Sequence, residues 1–178
     1  DRYEQVTGTP NILPGTVGVF RSPLASDPGT RFEYGINIDW LGRVIEAVSG
    51  QPLDAYIQAN ITGPLGMAST TAKMTAAQRA NSTPVHVRAD DGSWVVTDID
   101  WAQEPEYWGG GHFLYSTPRD YMAFQRMLLG GGTLGDVRIL DRATVDAAFT
   151  NQIGDLYFPP SIVSVHPELS VDVNLGPD

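Results

Sequence analysis

The apolar positions between residues 38 and 62 repeat with the period of an α-helix. Within residues 38–49 they lie three to four positions apart, and Gly50 provides a typical helix end. The apolar set of this first helix is Trp40, Leu41, Val44, Ile45 and Val48. A second stripe follows Pro52 and ends near Gly63. The pattern therefore predicts two consecutive helices that form a hairpin.

A third helix is predicted directly after Ser116. Thr117 is placed to cap it, Pro118 suits its first turn, and Asp120 puts a negative charge near the positive end of its dipole. The apolar positions of this helix, which we expect to be buried, are Tyr121, Phe124, Met127 and Leu128.

A short fourth helix is predicted over about residues 142–150. Asp141 stands where a helix cap is expected, and Val145 and Phe149 are predicted to face inward. Residues 151–178 contain prolines but no helical period, so we expect a loop that leads to C-terminal strands outside the sequence.

Loop-forming residues dominate the rest of the chain. Residues 1–37 are rich in Pro and Gly and are predicted to form a loop or lid, with at most a short helical turn. Between residues 66 and 100 the one strand candidate is Trp94–Val96. The predicted organisation is a partial domain over 1–178, in which the helical region is 38–150. Because long structureless connections are uncommon in compact domains, we expect a partner sheet outside the sequence.

The composition is typical of a folded protein and narrows the classes of partner. Apolar residues make up 42% of the chain and charged residues only 18%, which disfavours disorder. The 11 basic and 21 acidic side chains give a net charge of −10, so nucleic acid is not expected as a partner. No apolar run reaches the roughly 20 residues of a membrane span. The absence of cysteine excludes disulfides and thiolate metal sites and leaves the compartment open.

Several familiar site types find no support in the sequence. His86, His112 and His166 lack the spacing of a zinc helix, so no metal is expected. No serine lies in the Gly-x-Ser-x-Gly elbow of an α/β-hydrolase. The triple glycines 109–111 and 130–132 do not continue into the Lys-Ser/Thr of a phosphate loop. We interpret both runs as tight turns that border a helix, and we predict no cofactor.

Two hydroxyl-bearing residues remain as candidates for chemistry. Thr70 precedes Lys73, the single lysine of the chain, by the spacing that would let an amine take a hydroxyl proton. We reject Thr70 as a nucleophile and interpret its segment as solvated surface. Tyr34 lies between a rigid turn at Asp27–Thr30 and a predicted helix start, where a phenol can point into a cleft.

Three ordered blocks of residues resemble the serine β-lactamase and penicillin-binding-protein superfamily. They run from Pro28 to Pro52, from Ile61 to Met67 and from Gly109 to Leu129. The resemblance is to the class C β-lactamase-like branch, which includes family VIII carboxylesterases, D-aminopeptidases and statin-type acyltransferases. The resemblance implies an α+β fold of the β-lactamase/transpeptidase type. This chain would supply mainly its helical portion, with part of the antiparallel sheet missing.

The resemblance also implies roles for individual residues. A Tyr-x-Asn-like motif maps onto Tyr34–Ile36 and implies that Tyr34 is a catalytic general base. Ile36 stands where β-lactamases usually have Asn, with Asn37 one place later, and this departure favours an esterase or acyltransferase. The Ser-x-x-Lys and Lys-Thr-Gly motifs do not occur in the sequence. Tyr107 and Trp108 are candidate substrate-binding aromatics of the cleft wall.

The predicted function is hydrolysis or transfer of small-molecule carboxylic esters or amides through an acyl-serine intermediate. Other segments of the same protein would supply the nucleophile and its lysine, so we expect the chain alone to be inactive. Two alternatives stay open. One is hydrolysis of β-lactams or D-amino-acid peptides, and the other is a catalytically inactive ligand-binding module of the same fold.

Overall fold

The computed structural model describes residues 2–156, 160–164 and 171–174, with side chains from residue 5 onward. Its helices are α1 (Arg2–Thr7), α2 (Asn37–Ser49), α3 (Leu53–Ile57), α4 (Ala76–Ala80), α5 (Pro118–Leu129) and α6 (Arg142–Ala148). A 3₁₀ turn lies at Val17–Arg21, and a π-helical turn at Gln58–Thr62 extends α3.

The strands of the described residues are short and form three two-stranded antiparallel sheets. The pairs are β1 (His86–Arg88) with β2 (Trp94–Val96), β3 (Thr133–Leu134) with β4 (Val137–Arg138), and β5 (Ser161–Ile162) with β6 (Val173–Asn174). In the first pair Arg88 lies opposite Trp94, and its guanidinium carbon is 5.1 Å from the indole ring centre.

The two consecutive helices predicted from the apolar period are confirmed as α2 and α3. Gly50 ends α2 in the left-handed conformation, with φ of +69°, and its N–H donates to the Glu46 carbonyl. The Glu46 carboxylate also accepts the N–H of Leu53 at 3.0 Å. This bond satisfies a free N–H at the start of α3 and fixes the hairpin between the two helices.

Helix α2 leaves much of its apolar stripe exposed. Trp40, Val44 and Val48, which belong to its apolar stripe, are 49%, 53% and 84% exposed. The buried residues of α2 are Asp39 and Gly42. A Cβ atom at Gly42 would lie 2.9 Å from the Leu53 side chain, so glycine allows α3 to approach closely.

Two hydrophobic clusters hold these elements together. The first consists of Leu53, Ala72 and Phe113, with Ile45, Ile57 and Trp108 packed against it. The second joins α5 to the segment after α3 and contains the buried residues Leu65, Met67 and Met127. Met127 is fully buried, as predicted from its place in the apolar stripe of α5.

Helix α5 begins with the predicted capping residues. The Thr117 hydroxyl accepts the N–H of Asp120 at 3.3 Å, and Pro118 occupies the first turn. The Asp120 carboxylate accepts the backbone N–H of Ser69 at 2.7 Å and the Thr70 hydroxyl at 3.0 Å. Asp120 therefore anchors the segment Ser69–Thr70 to the start of α5.

We expect Asp120→Ala in the full-length protein to lower the free energy of unfolding by about 2–4 kcal/mol, because it leaves the Ser69 N–H without its charged acceptor. Asp146→Ala is the matched control, since Asp146 forms an exposed ion pair with Arg142 and its loss costs less than about 1 kcal/mol. Urea unfolding measures both values. Equal losses for the two variants would contradict the anchoring role of Asp120.

The fourth predicted helix is confirmed as α6, but it ends at Ala148 rather than near residue 150, and its cap residue Asp141 makes no side-chain cap bond. Two predictions of buried side chains are wrong. Phe149 is 76% exposed because the chain leaves the helix there, whereas Val145 is buried as predicted. Tyr121, expected inside, is 56% exposed.

Short elements were also missed where only loop was predicted. Helix α1 lies within the predicted loop or lid 1–37, and α4 and β1 lie within the irregular region 66–100. The pair β5–β6 lies within the predicted loop 151–178. The rest of that loop, including His166, is partly outside the described residues.

Candidate active site

Tyr34 lies on the turn that precedes α2. The predicted turn at Asp27–Thr30 is confirmed by the bond from the Thr30 N–H to the Asp27 carbonyl at 3.2 Å. The carbonyl of Ile36 accepts the N–H of Trp40 at 3.1 Å and so begins the helix. Between these anchors the Tyr34 side chain is 87% exposed, and no described residue bonds its hydroxyl. The phenol thus extends from a defined junction of turn and helix.

Ile36 and Asn37, which follow Tyr34 and Gly35, differ in their surroundings. Ile36, which stands at the motif's Asn position, is half-buried and precedes the first helical residue. Asn37 is exposed and is the first residue of α2. The motif therefore presents an apolar side chain at its third position in this chain.

Tyr107 and Trp108 lie further inside than the cleft-wall prediction implies. Tyr107 is 2% exposed, and its ring meets that of Phe20 edge to face, with 4.6 Å between the ring centres. Trp108 is half-buried and stacks at a tilt on Phe113 at 5.6 Å. Both residues line an open groove of about 550 Å³, beside Arg43 and other residues of the α2–α3 junction. Their role in binding substrate stays a prediction.

A buried polar cluster, missed in the sequence, lies behind the Tyr34 turn. Asp39 is 3% exposed, and its Oδ1 is 3.9 Å from Nδ1 of His112. Burial, and then the charge of Asp39, raise the pKa of Tyr107 to about 12. Among the described residues, neither Asp39 Oδ1 nor the Tyr107 hydroxyl has a hydrogen-bond partner. The available signal was a carboxylate directly between the apolar residues Ile38 and Trp40.

Two glycines let this cluster approach the first turn of α2. A Cβ atom at Gly110 would overlap the carbonyl oxygen of Ile38, and one at Gly109 would lie 2.9 Å from Asp39 Oδ1. None of the glycines 109–111 has a positive φ, so the run serves close approach as well as a turn. The interpretation as a turn holds fully for the 130–132 run, where Gly131 and Gly132 have φ of +66° and +91°.

The segment around Thr70 is not the solvated surface that the sequence suggested. The Thr70 hydroxyl bonds Asp120 and lies 2.8 Å from the Ser116 hydroxyl. Ala72 is buried in the first core cluster, because the neighbouring Thr71 forms a β-bridge that holds the segment in place. The Lys73 ammonium pairs with Glu104, and this hydrogen bond lowers the pKa of the Glu104 carboxyl. These contacts are structural and leave Thr70 without an activating amine.

Within the part of the chain that the structure describes, no group of three or more His, Asp or Glu side chains is placed to hold a metal ion. His166 lies outside that part. None of the helices in the described residues has the length and apolar character needed to cross a membrane.

The raised pKa of Tyr107 predicts a loss of stability at alkaline pH. Because about 12 exceeds the value near 10 of a free phenol, the folded state favours the neutral form. That contribution is fully present below about pH 10 and is lost as the pH rises to about 12. Between about pH 10 and pH 12, we expect the unfolding free energy of Tyr107→Phe to fall by roughly 2 kcal/mol less than that of the wild type. Urea unfolding at increasing pH measures this difference.

Tyr121→Phe is the control for this prediction, since Tyr121 is an exposed tyrosine on α5. Its decline should follow that of the wild type. A Tyr107→Phe profile that matches the wild type in the same range would contradict the assigned environment of Tyr107.

Comparison with known proteins places the chain in a family. The Beta-lactamase family model matches residues 18–165. Monacolin J acid methylbutanoyltransferase of Aspergillus terreus is 34% identical over 133 residues, which cover 71% of this chain and 31% of the relative. Lovastatin esterase of Penicillium rubens is 31% identical over 141 residues, covering 76% of this chain and 34% of the relative.

A solved structure agrees with these matches. Unliganded simvastatin synthase from Aspergillus terreus superposes with a TM-score of 0.65 and 31% identity, over 75% of this chain and 32% of that protein. The chain spans about a third of the length of the relatives it matches. The predicted α+β, β-lactamase/transpeptidase-like fold is confirmed, and the chain belongs to the beta-lactamase family.

Proposed function

We propose that the protein containing this chain hydrolyses or transfers carboxylic esters through an acyl-serine intermediate, with Tyr34 as the general base. The observation that carries this proposal is the exposed phenol at the start of α2, within the residues that the Beta-lactamase family model matches. Two relatives of the chain are named as an acyltransferase and an esterase. Their names describe the making or breaking of ester bonds, and the proposal extends that chemistry to this chain.

The Tyr34 phenol needs a nearby cation to act as a base. A free phenol has a pKa near 10, so only about one in a thousand is ionised at pH 7. A cation within about 4–6 Å stabilises the phenolate. Arg31, the closest cation in sequence, is paired with Glu33 at 2.6 Å and with the Ala25 carbonyl at 3.3 Å. The proposal therefore assigns the cation to the lysine of a Ser-x-x-Lys motif outside residues 1–178.

The proposed reaction has two steps that balance in protons. The Tyr34 phenolate accepts the serine hydroxyl proton while the serine oxygen attacks the ester carbonyl carbon. The carbonyl–alkoxide bond then breaks, and the leaving alcohol takes the proton from Tyr34. Water or an acceptor alcohol next gives its proton to Tyr34 and attacks the acyl-serine. The serine recovers that proton, and an acid or a new ester is released.

The surroundings of the motif support an ester rather than a β-lactam as substrate. An Asn amide at the position of Ile36 could hydrogen-bond a lactam side chain, and the half-buried isoleucine has no such group. The groove beside Trp108 and Tyr107 is the proposed place for part of the acyl substrate. Trp108 contributes apolar surface there.

Substrate preference in the full-length protein tests this function. We expect kcat/KM for a short p-nitrophenyl ester to exceed that for a cephalosporin by about 10- to 100-fold, because the amide contact is absent. Ile36→Asn should narrow the gap by improving cephalosporin turnover. A cephalosporin value equal to or above the ester value would favour the β-lactamase alternative. Turnover of neither substrate, without any covalent adduct, would favour a ligand-binding module.

A further inference from the structure

Asp39 is a buried carboxylate in the first turn of α2, shortly after Tyr34 in the sequence. Only 3% of the residue is exposed, and its Oδ1 has no hydrogen-bond partner among the described residues. Nδ1 of His112 lies 3.9 Å from this oxygen. The charge of Asp39 also acts on the buried Tyr107 hydroxyl.

This arrangement is costly for a residue that serves stability alone. A buried carboxylate without a full set of hydrogen bonds loses more solvation than it regains. Its place near the positive end of the α2 dipole offsets only part of that cost. Residues that weaken local packing are found preferentially where function requires them.

The carboxylate lies where the first turn of α2 is clamped against another segment. Gly109 faces Asp39 Oδ1, and Gly110 packs on the Ile38 carbonyl so closely that a Cβ atom would overlap it. His112 follows on the same segment, and its Nδ1 is 3.9 Å from Asp39 Oδ1. The bond from the Trp40 N–H to the Ile36 carbonyl continues this clamped turn into the residues that carry Tyr34.

We propose that Asp39 is a positioning residue for Tyr34: its buried carboxylate, held between Gly109 and His112, sets the first turn of α2 and with it the turn that carries the phenol. This inference rests on the proposed role of Tyr34 as the base. Asp39 touches neither the substrate nor the reacting atoms in this proposal. It acts through the backbone between residues 34 and 39.

Steady-state kinetics of the full-length protein on a p-nitrophenyl ester test this inference. Asp39→Asn keeps the shape and removes the charge, and we expect it to lower kcat by about 10- to 100-fold while KM changes less than about 2-fold. Gly109→Ala would place a Cβ atom in overlap with the His112 ring and 2.9 Å from Asp39 Oδ1, so it disturbs the same cluster and should act alike. Gly111→Ala is its matched control, because a Cβ atom there meets nothing within 4 Å, and its kcat should equal that of the wild type.

A double variant separates positioning from general loss of structure. If Asp39 acts through Tyr34, then Asp39→Asn combined with Tyr34→Phe should be no slower than Tyr34→Phe alone. A further fall in the double variant would show a merely structural role and overturn the inference. If Asp39→Asn has the kcat of the wild type while Tyr34→Phe is impaired, the inference is also overturned. The proposed function would remain intact in that case. Full activity of Tyr34→Phe would overturn both the proposed function and this inference.

Discussion

Tyr34→Phe in the full-length protein is expected to lower kcat for ester hydrolysis by about 10²–10⁴-fold. The substitution removes the oxygen that would take the serine proton and leaves the ring in place. Because 87% of the Tyr34 side chain is exposed, its hydroxyl adds little to folding, and the melting temperature should stay within a few degrees of the wild type. Steady-state kinetics measures kcat, and thermal unfolding measures the melting temperature.

Tyr121→Phe is a matched control for this loss, since it removes a hydroxyl from another exposed tyrosine. Its kcat should equal that of the wild type. Near-normal turnover by Tyr34→Phe would remove Tyr34 from the mechanism. A large fall in its melting temperature would instead show that the hydroxyl has a structural role.

Residues 1–178 expressed alone are expected to lack both ester turnover and a cooperative unfolding transition. The wet apolar stripe of α2 consists of Trp40, Leu41, Val44 and Val48, which are 49–84% exposed. Leaving these fractions of the four residues in water forfeits roughly 4–7 kcal/mol in all, against a typical domain stability of about 5–15 kcal/mol. We therefore propose that other segments of the same protein cover this face and complete the site.

Light scattering, thermal unfolding and an ester assay on the same preparation check this expectation. Adding the remaining segments by co-expression is the control, and it should restore a cooperative transition and turnover together. A monomeric, cooperative transition for residues 1–178 alone would contradict the incomplete-fold proposal. Turnover by that preparation, abolished by Tyr34→Phe, would place a nucleophile such as Thr70 or Ser116 within the chain.

Local sequence signals predicted the elements whose causes are local. Helix α2 begins one residue before its predicted start, and its end at Gly50 follows from glycine's access to positive φ. The Thr117 cap of α5 is likewise a contact over three residues. The capping box of α4 between Thr75 and Gln78 was also readable, but the helix is short and has no apolar stripe.

Contacts between distant residues could not be predicted in this way. Asp120 was expected to act on its own helix, yet its carboxylate bonds Ser69, 51 positions away. The period of α2 identifies an apolar face but does not say what covers it. The described residues bury Asp39 and Gly42 instead. Two contacts decide which face of α2 turns inward: α3 packs on Gly42, and the segment at Gly109 and Gly110 packs on the first turn of α2. Neither contact follows from the local sequence pattern.

The candidate site divides along the same line. Tyr34 could be proposed from the sequence because its motif is contiguous. The contact of Asp39 with His112 was not found, since it joins an α2 residue to a loop far along the chain. Tyr107 was singled out as an aromatic of the cleft wall, but its burial and raised pKa depend on Phe20 and Asp39 packing around it.

Intact-mass analysis of the acyl-enzyme tests the central claim most directly. The full-length protein is mixed with a slowly deacylating p-nitrophenyl ester, quenched in acid, weighed and digested to locate the adduct. We predict a mass gain of one acyl group on the serine of a Ser-x-x-Lys motif outside residues 1–178, and its near absence in Tyr34→Phe at the same quench time. No adduct during ester turnover, or an adduct on Thr70 or Ser116, would contradict the account.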